Sequence, residues 1–209
     1  MARRTKEEAL ATREHILDTA ELVFEQRGVS RSSLQEIAEA AGLTRGAIYW
    51  HFKDKGDLFN AMMQRVTLPL EEAVSRSDDP ALADPVAHIR ASMIDALRKT
   101  VEDPQVRRVF EIATHKVEYV DELRPVRERH VAMRNACLDH IERGLAAAMH
   151  KSLLNRHTPA ATAALGLHSL ICGLMDNWML DPGGFDLVGV GTQAIDTFLT
   201  GLAGSSPTC

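Results

Sequence analysis

The chain has 209 residues, 45% of them apolar and 25% charged, with a formal net charge of −5. That size supports one large or two small globular domains around a buried core, and the acidic balance excludes a uniformly basic nucleic-acid binder. No apolar stretch reaches the ~20 residues of a membrane span, and "MARRTKEEALATREH" lacks the apolar region of a signal peptide, so the expected compartment is the cytoplasm.

The first predicted element is "TKEEALATREHILDTAELVFEQRG", opened by a capping box of Thr5 and Glu8 and stopped at Gly28. Ile16, Leu17, Ala20, Val23 and Phe24 form its apolar stripe, while Glu14, Asp18, Glu21 and Glu25 share another face. Residues 1–60 hold nine Lys/Arg against ten Asp/Glu, yet eight of the nine basic residues sit at ends and turns (Arg3, Arg4, Lys6, Arg27, Arg31, Arg45, Lys53, Lys55). A near-neutral segment can therefore present one basic side.

A second helix, "SLQEIAEAAG", starts at a Ser33–Glu36 capping box, buries Leu34, Ile37, Ala38 and Ala41, and ends at Gly42. Thr44 caps a short third helix, "RGAIYWHF", and Asp54 and Asp57 frame the start of "KGDLFNAMMQRVTLPLEEAV". Further on, Asp84-Pro85, Asp103-Pro104 and Thr158-Pro159 suit an N-cap followed by proline at the first helical position. They divide the remainder into helices over 84–102, 104–117, 121–152, 159–180 and 186–203, with a turn at Asp181-Pro182-Gly183-Gly184. No stretch alternates with period two. The expected fold is all-α with about nine helices: a helix-turn-helix domain over 1–55, a larger helical domain over 56–204 and a disordered tail over 205–209. The segment 75–84, "SRSDDPALAD", reads as a linker.

Two helices joined by a tight turn at Gly42 make a helix-turn-helix, whose second helix enters the DNA major groove with its N-terminal residues on base edges. Those residues are Thr44, Arg45, Gly46 and Ala47; Arg45 can reach O6 and N7 of guanine together, and the two small residues let the backbone approach. Ile48 and Phe52 anchor the helix on the core. Tyr49, Trp50 and His51 fall where the helix leaves the groove beside the phosphates, with Lys55 in the first turn of the next helix. The alternative is that "YWHF" only wedges short helices together.

The spacing G-x-x-x-x-S-x-x-x-I-A-x-x-A-G-x-T-R-G-A-x-Y-x-H-F-x-x-K, within "ILDTAELVFEQRGVSRSSLQEIAEAAGLTRGAIYWHFKDKGDL", resembles the DNA-binding domain of the TetR family of one-component repressors. "MARRTKEEALATREHIL" and "TRGAIYWHFKDK" are most similar to its AcrR branch, repressors of multidrug efflux operons, with weaker echoes in "HKVEY" and "GLMDNW". The resemblance implies double-stranded DNA contacts by Ser33, Gln35, Thr44, Arg45, Gly46, Ala47, Tyr49, Trp50, His51 and Lys55. It further implies a C-terminal domain that dimerises and binds a small effector, here a hydrophobic drug, a bile-salt-like molecule or an aromatic compound.

The residues add their own hints. The 159–180 helix is apolar on nearly every face, and the last helix adds Val188, Ile195, Phe198, Leu199 and Leu202, which suits a homodimer through the last two helices on a palindromic operator. Thr114, His115, Cys137, His168 and Cys172 stand in apolar helical company with Ile89, Met93, Phe110, Ile141, Ile171 and Met175, a pattern that marks an effector pocket or an ordinary core. No cofactor is expected. Glu111 and His115 lack a third metal ligand nearby, and "GVGTQA" has no room for a dinucleotide-binding unit. No H-E-x-x-H, nucleophile elbow or P-loop points to an enzyme. Three cysteines without a C-x-x-C pair read as reduced thiols, leaving redox signalling through Cys137 or Cys172 as the competing mode of regulation.

Overall fold

The computed structural model describes residues 6–75, 79, 82–118 and 123–204. Among them are nine helices and no strand: α1 (Lys6–Arg27), α2 (Leu34–Ala40), α3 (Arg45–His51), α4 (Lys55–Ser75), α5 (Pro85–Glu102), α6 (Pro104–His115), α7 (Arg124–His150), α8 (Ala160–Leu180) and α9 (Leu187–Ala203). Thr5, residues 76–78 and 80–81 of the 75–84 linker, Tyr119 and the 205–209 tail lie outside the described residues.

The chain divides into two compact units, one reaching from the start to Val66 and including Arg108–Val131, the other made of Thr67–Arg107 and Ala132–Cys209. The first unit thus takes in the opening turns of α4, which a boundary after residue 55 would separate from it. The reason is apolar spacing, because Leu58, Phe59 and Met62 continue the buried face begun by Ile16, Leu17, Ala20 and Phe24 of α1. Phe24 and Phe59 meet with ring centroids 6.1 Å apart, and Ile37, Ile48 and Phe52 complete the core from α2 and α3.

The acidic stripe of α1 meets arginines from two other helices, although Glu14 and Asp18 keep side chains 50% and 60% exposed. Arg65 of α4 lies 3.4 Å from Glu14, 2.6 Å from Asp18 and 3.8 Å from Glu21. Arg108 of α6 lies 3.7 Å from Glu21 and 3.2 Å from Glu25. Glu21 is buried between the two guanidiniums, with a side chain only 2% exposed. Two arginines from elsewhere in the chain consume the acids that sequence periodicity places on one side of α1.

In the second unit α5 packs on α9 and α8, and α8 packs on α9. Gly191 makes the α5–α9 approach possible, since a Cβ there would collide with the buried Leu97. Arg90 and Asp196 join the same two helices by two parallel hydrogen bonds of 2.5 and 2.9 Å. His88 Nε2 (2.9 Å) and Ser92 Oγ (3.4 Å) donate to the Ala73 carbonyl, tying α5 to the end of α4.

Most helix starts follow the local signals. Asp84 caps α5 through Ala87 N, Asp103 accepts from Gln105 N, and the Asp181–Gly184 turn closes with a 3.0 Å bond. One differs from expectation. Pro159 has ψ of 140°, outside the helical region, so it is itself the N-cap of α8 and has no side-chain cap bond.

Candidate nucleic-acid interface and effector site

The α2–turn–α3 unit is built almost entirely from short-range bonds. Ser33 Oγ accepts from Glu36 N, and Ser33 N donates to Glu36 Oε2, which closes the capping box at the start of α2. The Ser33 hydroxyl and backbone bonds, with Arg27 2.7 Å away, hold the Glu36 carboxyl below its ordinary range. At the other end Gly42 N donates to Glu39 O and Leu43 N to Ala38 O, the paired bonds of a Schellman stop. This stop needs the positive φ of +67° that Gly42 adopts.

Thr44 then caps α3 through Ala47 N (3.2 Å), while Ile48 and Phe52 are buried at 0% and 1% exposure. His15 Nε2 donates to the Ala41 carbonyl at 3.0 Å, clamping the turn to α1. A helix held by one face presents the other, and Thr44, Arg45, Gly46, Tyr49 and Trp50 are exposed, with Ala47 and His51 half-buried. Trp50 is 71% exposed and meets His51 edge-on at 4.5 Å. The Arg45 guanidinium lies over the Tyr49 ring, 5.4 Å from its centroid.

Besides Thr44, other DNA candidates carry internal bonds. Gln35 Nε2 donates to Glu39 at 3.0 Å, and the Ser33 hydroxyl serves the capping box. Lys55 is buried, and its ammonium donates to the carbonyls of Ser30 (3.1 Å) and Ser32 (2.9 Å). Beside it opens a polar groove of about 440 Å³ lined by Ser33, Tyr49, Lys53, Arg31 and their neighbours. Arg31 and Lys53 are basic residues that the helix-turn-helix positions alone do not select; the signal for them is their place in the turns flanking α2 and α3.

The eleven effector candidates fall into two groups. Ile89, Met93, Cys137, Ile141, His168, Ile171, Cys172 and Met175 belong to the second unit, where Ile89, Met93, Ile141 and Ile171 are buried and Cys172 Sγ lies 3.6 Å from His168 Nδ1. Phe110, Thr114 and His115 belong to the first unit. Thr114 and His115 are exposed there, the threonine hydroxyl donating to Phe110 O and the imidazole bordering a small recess with Gly28, Ser30, Arg31, Lys116 and Glu118. Burial, with Cys172 and Glu71 nearby, pushes the Cys137 thiol up to about 11.

Comparison with known proteins decides the family. Residues 16–62 match the model of bacterial regulatory proteins of the tetR family, and residues 84–203 match the C-terminal region of MAATS-type transcriptional repressors. The chain is a member of the TetR family. Its relatives include the HTH-type transcriptional regulator AcrR of Shigella flexneri, 43% identical over 190 residues that cover 90% of this chain and 87% of that protein. Among solved structures, NalD, the secondary repressor of the MexAB-OprM multidrug efflux pump in Pseudomonas aeruginosa, superposes with a TM-score of 0.85 at 33% identity over 93% of this chain and 97% of that one. SmeT, repressor of the Stenotrophomonas maltophilia pump SmeDEF, in its triclosan complex gives a TM-score of 0.84 at 35% identity over 91% of each chain. The chain is therefore a TetR-family DNA-binding transcriptional regulator, and α2–turn–α3 is its helix-turn-helix. Among the described residues, no helix is long and apolar enough to cross a membrane.

Proposed function

We propose that this TetR-family regulator is a cytoplasmic repressor of a multidrug efflux operon, held on a palindromic operator as a homodimer and released by a small hydrophobic effector. The observation that carries the reading is α3 itself, a helix pinned by Ile48 and Phe52 whose free face offers Thr44, Arg45 and Gly46 at its N-terminal tip. Arg45 reads a guanine edge, while Ser33, Gln35, Ala47, Tyr49, Trp50 and His51 set the register on the backbone and groove wall. Dimerisation runs through α8 and α9, whose Leu165, Leu180 and Val190 are 54%, 69% and 42% exposed in the single chain. The two heads then meet half-sites about 34–36 Å apart, or a multiple of it.

NalD and SmeT, both repressors of multidrug efflux pumps, support the efflux assignment at high coverage, and the SmeT–triclosan complex supports an aromatic, apolar effector. The effector site is formed by the second-unit set, from Ile89 and Met93 to Cys172 and Met175. α4 contains residues of both units and carries the response; an effector that prefers the released state by about 1–3 kcal/mol suffices to shift the heads. A Cys137 thiol at about 11 is almost wholly protonated at neutral pH, which argues against redox signalling through it. The relatives are regulators, and a catalytic role finds no support in them.

The test is fluorescence anisotropy of the purified protein on DNA from upstream of its own gene, over several salt concentrations and with a scrambled competitor. Selective binding that triclosan or another apolar drug relieves is the expected result. Weak, unselective binding abolished by modest salt would overturn it.

A further inference from the structure

We infer that Thr67 and Glu71 of α4 form a polar anchor in the effector site, one that takes an N–H-bearing ammonium carried on an apolar frame. The inference rests on the effector reading of the second unit, and neither residue is among the eleven candidates. Both lie in that unit, four positions apart and so on one face of α4. Thr67 is 6% exposed. Among the described residues, Thr67 Oγ1 and Glu71 Oε1 are closed off from solvent and have no hydrogen-bond partner.

A buried helical threonine has a ready partner in the carbonyl four residues back. Thr19 and Thr100, both buried, use it at 2.8 and 2.9 Å. Thr67 does not. A buried hydroxyl and a buried carboxylate oxygen left open cost the fold stability, and a ligand that brings donors removes that cost. Because both atoms are covered, a ligand reaches them only by displacing what covers them. Occupancy of the anchor is thereby tied to movement of α4, the helix that carries the response.

The surroundings set the sign of the ligand. Burial, Cys172 and Glu71 push the Cys137 thiol of α7 up to about 11, and burial and Asp176 push the Cys172 thiol of α8 up. The charges acting on both thiols are negative, so residues of α4, α7 and α8 together make an electronegative site. The same two helices bring the buried Ile141 and Ile171. A quaternary ammonium supplies charge without a donor, and an alcohol supplies a donor without charge. Only an ammonium with an N–H gives Glu71 Oε1 both, and a second N–H can reach the Thr67 hydroxyl as acceptor.

Four compounds on one tricyclic frame separate these properties: nortriptyline with two N–H groups, amitriptyline with one, its quaternary N-methyl salt with none, and the corresponding neutral alcohol. Affinities for the full-length protein and its E71Q and T67V variants are measured by titration calorimetry, with operator release followed by anisotropy. Amitriptyline is expected to bind at least about tenfold tighter than the quaternary salt and the alcohol, and nortriptyline about threefold tighter again. E71Q brings amitriptyline within about threefold of the quaternary salt. T67V removes only the gain of nortriptyline. Without ligand, E71Q unfolds no earlier than wild type, because the oxygen it replaces has no partner to lose.

A quaternary salt or alcohol that binds as tightly as amitriptyline overturns the anchor. So does an undiminished amine preference in E71Q, or an unliganded E71Q that unfolds early or fails to fold, which would make Glu71 a structural residue. A gain of nortriptyline that survives in T67V removes Thr67 from the anchor. Triclosan that binds where all four compounds fail also overturns it. Failure of all five to bind overturns the effector site itself, a separate result.

Discussion

Arg45 is an exposed arginine with part of its freedom already removed, because its guanidinium rests on the Tyr49 ring. Less rotamer entropy is then lost when the side chain docks on a base. Arg45→Ala is expected to cost about 1–3 kcal/mol of operator affinity and to relax selectivity at one base pair. The dimer should stay intact, and unchanged discrimination among single-base operator variants would count against the assignment. Glu21 makes a second residue-scale prediction. It is the buried carboxylate shared by Arg65 and Arg108, so Glu21→Gln should lower the thermal midpoint, at a cost of about 1–3 kcal/mol. That lies below the cost for a fully buried pair because both arginines keep some access to water. The stripe of acids was legible in sequence; its partners were not, since the Arg65–Asp18 contact alone joins positions 47 apart. Lys55 shows the same limit. Its place in a first helical turn is plain from sequence, but the carbonyls its ammonium meets lie 25 and 23 positions away.

At the scale of the element, α2 and α3 were almost fully legible because the capping-box, Schellman and Thr44 bonds that start or stop them span three to five residues. Ser33→Ala removes both the cap and the box and should cost about 1 kcal/mol of stability. It also has a pH signature. The Glu36 carboxyl is held below its unfolded value, so its contribution is fully present above that value and disappears as pH falls through the folded one. The midpoint of the wild type should therefore fall faster on acidification than that of Ser33→Ala, and equal acid limbs would refute the linkage. The α8 start was less legible. Thr158-Pro159 carries a familiar signature, but Pro159 keeps an extended ψ and becomes the cap itself.

At the scale of the whole molecule, one-chain burial leaves Leu165, Leu180 and Val190 of α8 and α9 open. Leu165→Lys is expected to yield folded monomers in sedimentation velocity, with binding to the full palindrome reduced towards that of a single half-site. A dimer that survives this change would place the interface elsewhere. Gly191→Ala tests the packing inside the C-terminal unit. A Cβ pressed against buried Leu97 should destabilise it by about 1–3 kcal/mol, read as a lower thermal midpoint.

The sequence alone determined the all-helical class, the order of the helices, the capped ends of α2 and α3, and the family to which the chain belongs, because each depends on residues close together in the chain or on a fixed motif spacing. Only the tertiary structure decided where the charged side chains go. It turned the acids of α1 onto Arg65 and Arg108, sank Lys55 onto two carbonyls, and placed Thr114 and His115 in the same unit as the helix-turn-helix. The physical reason is reach: a cap is closed by its neighbours, whereas a long ionic side chain finds its partner on whichever helix the fold brings within a few ångströms.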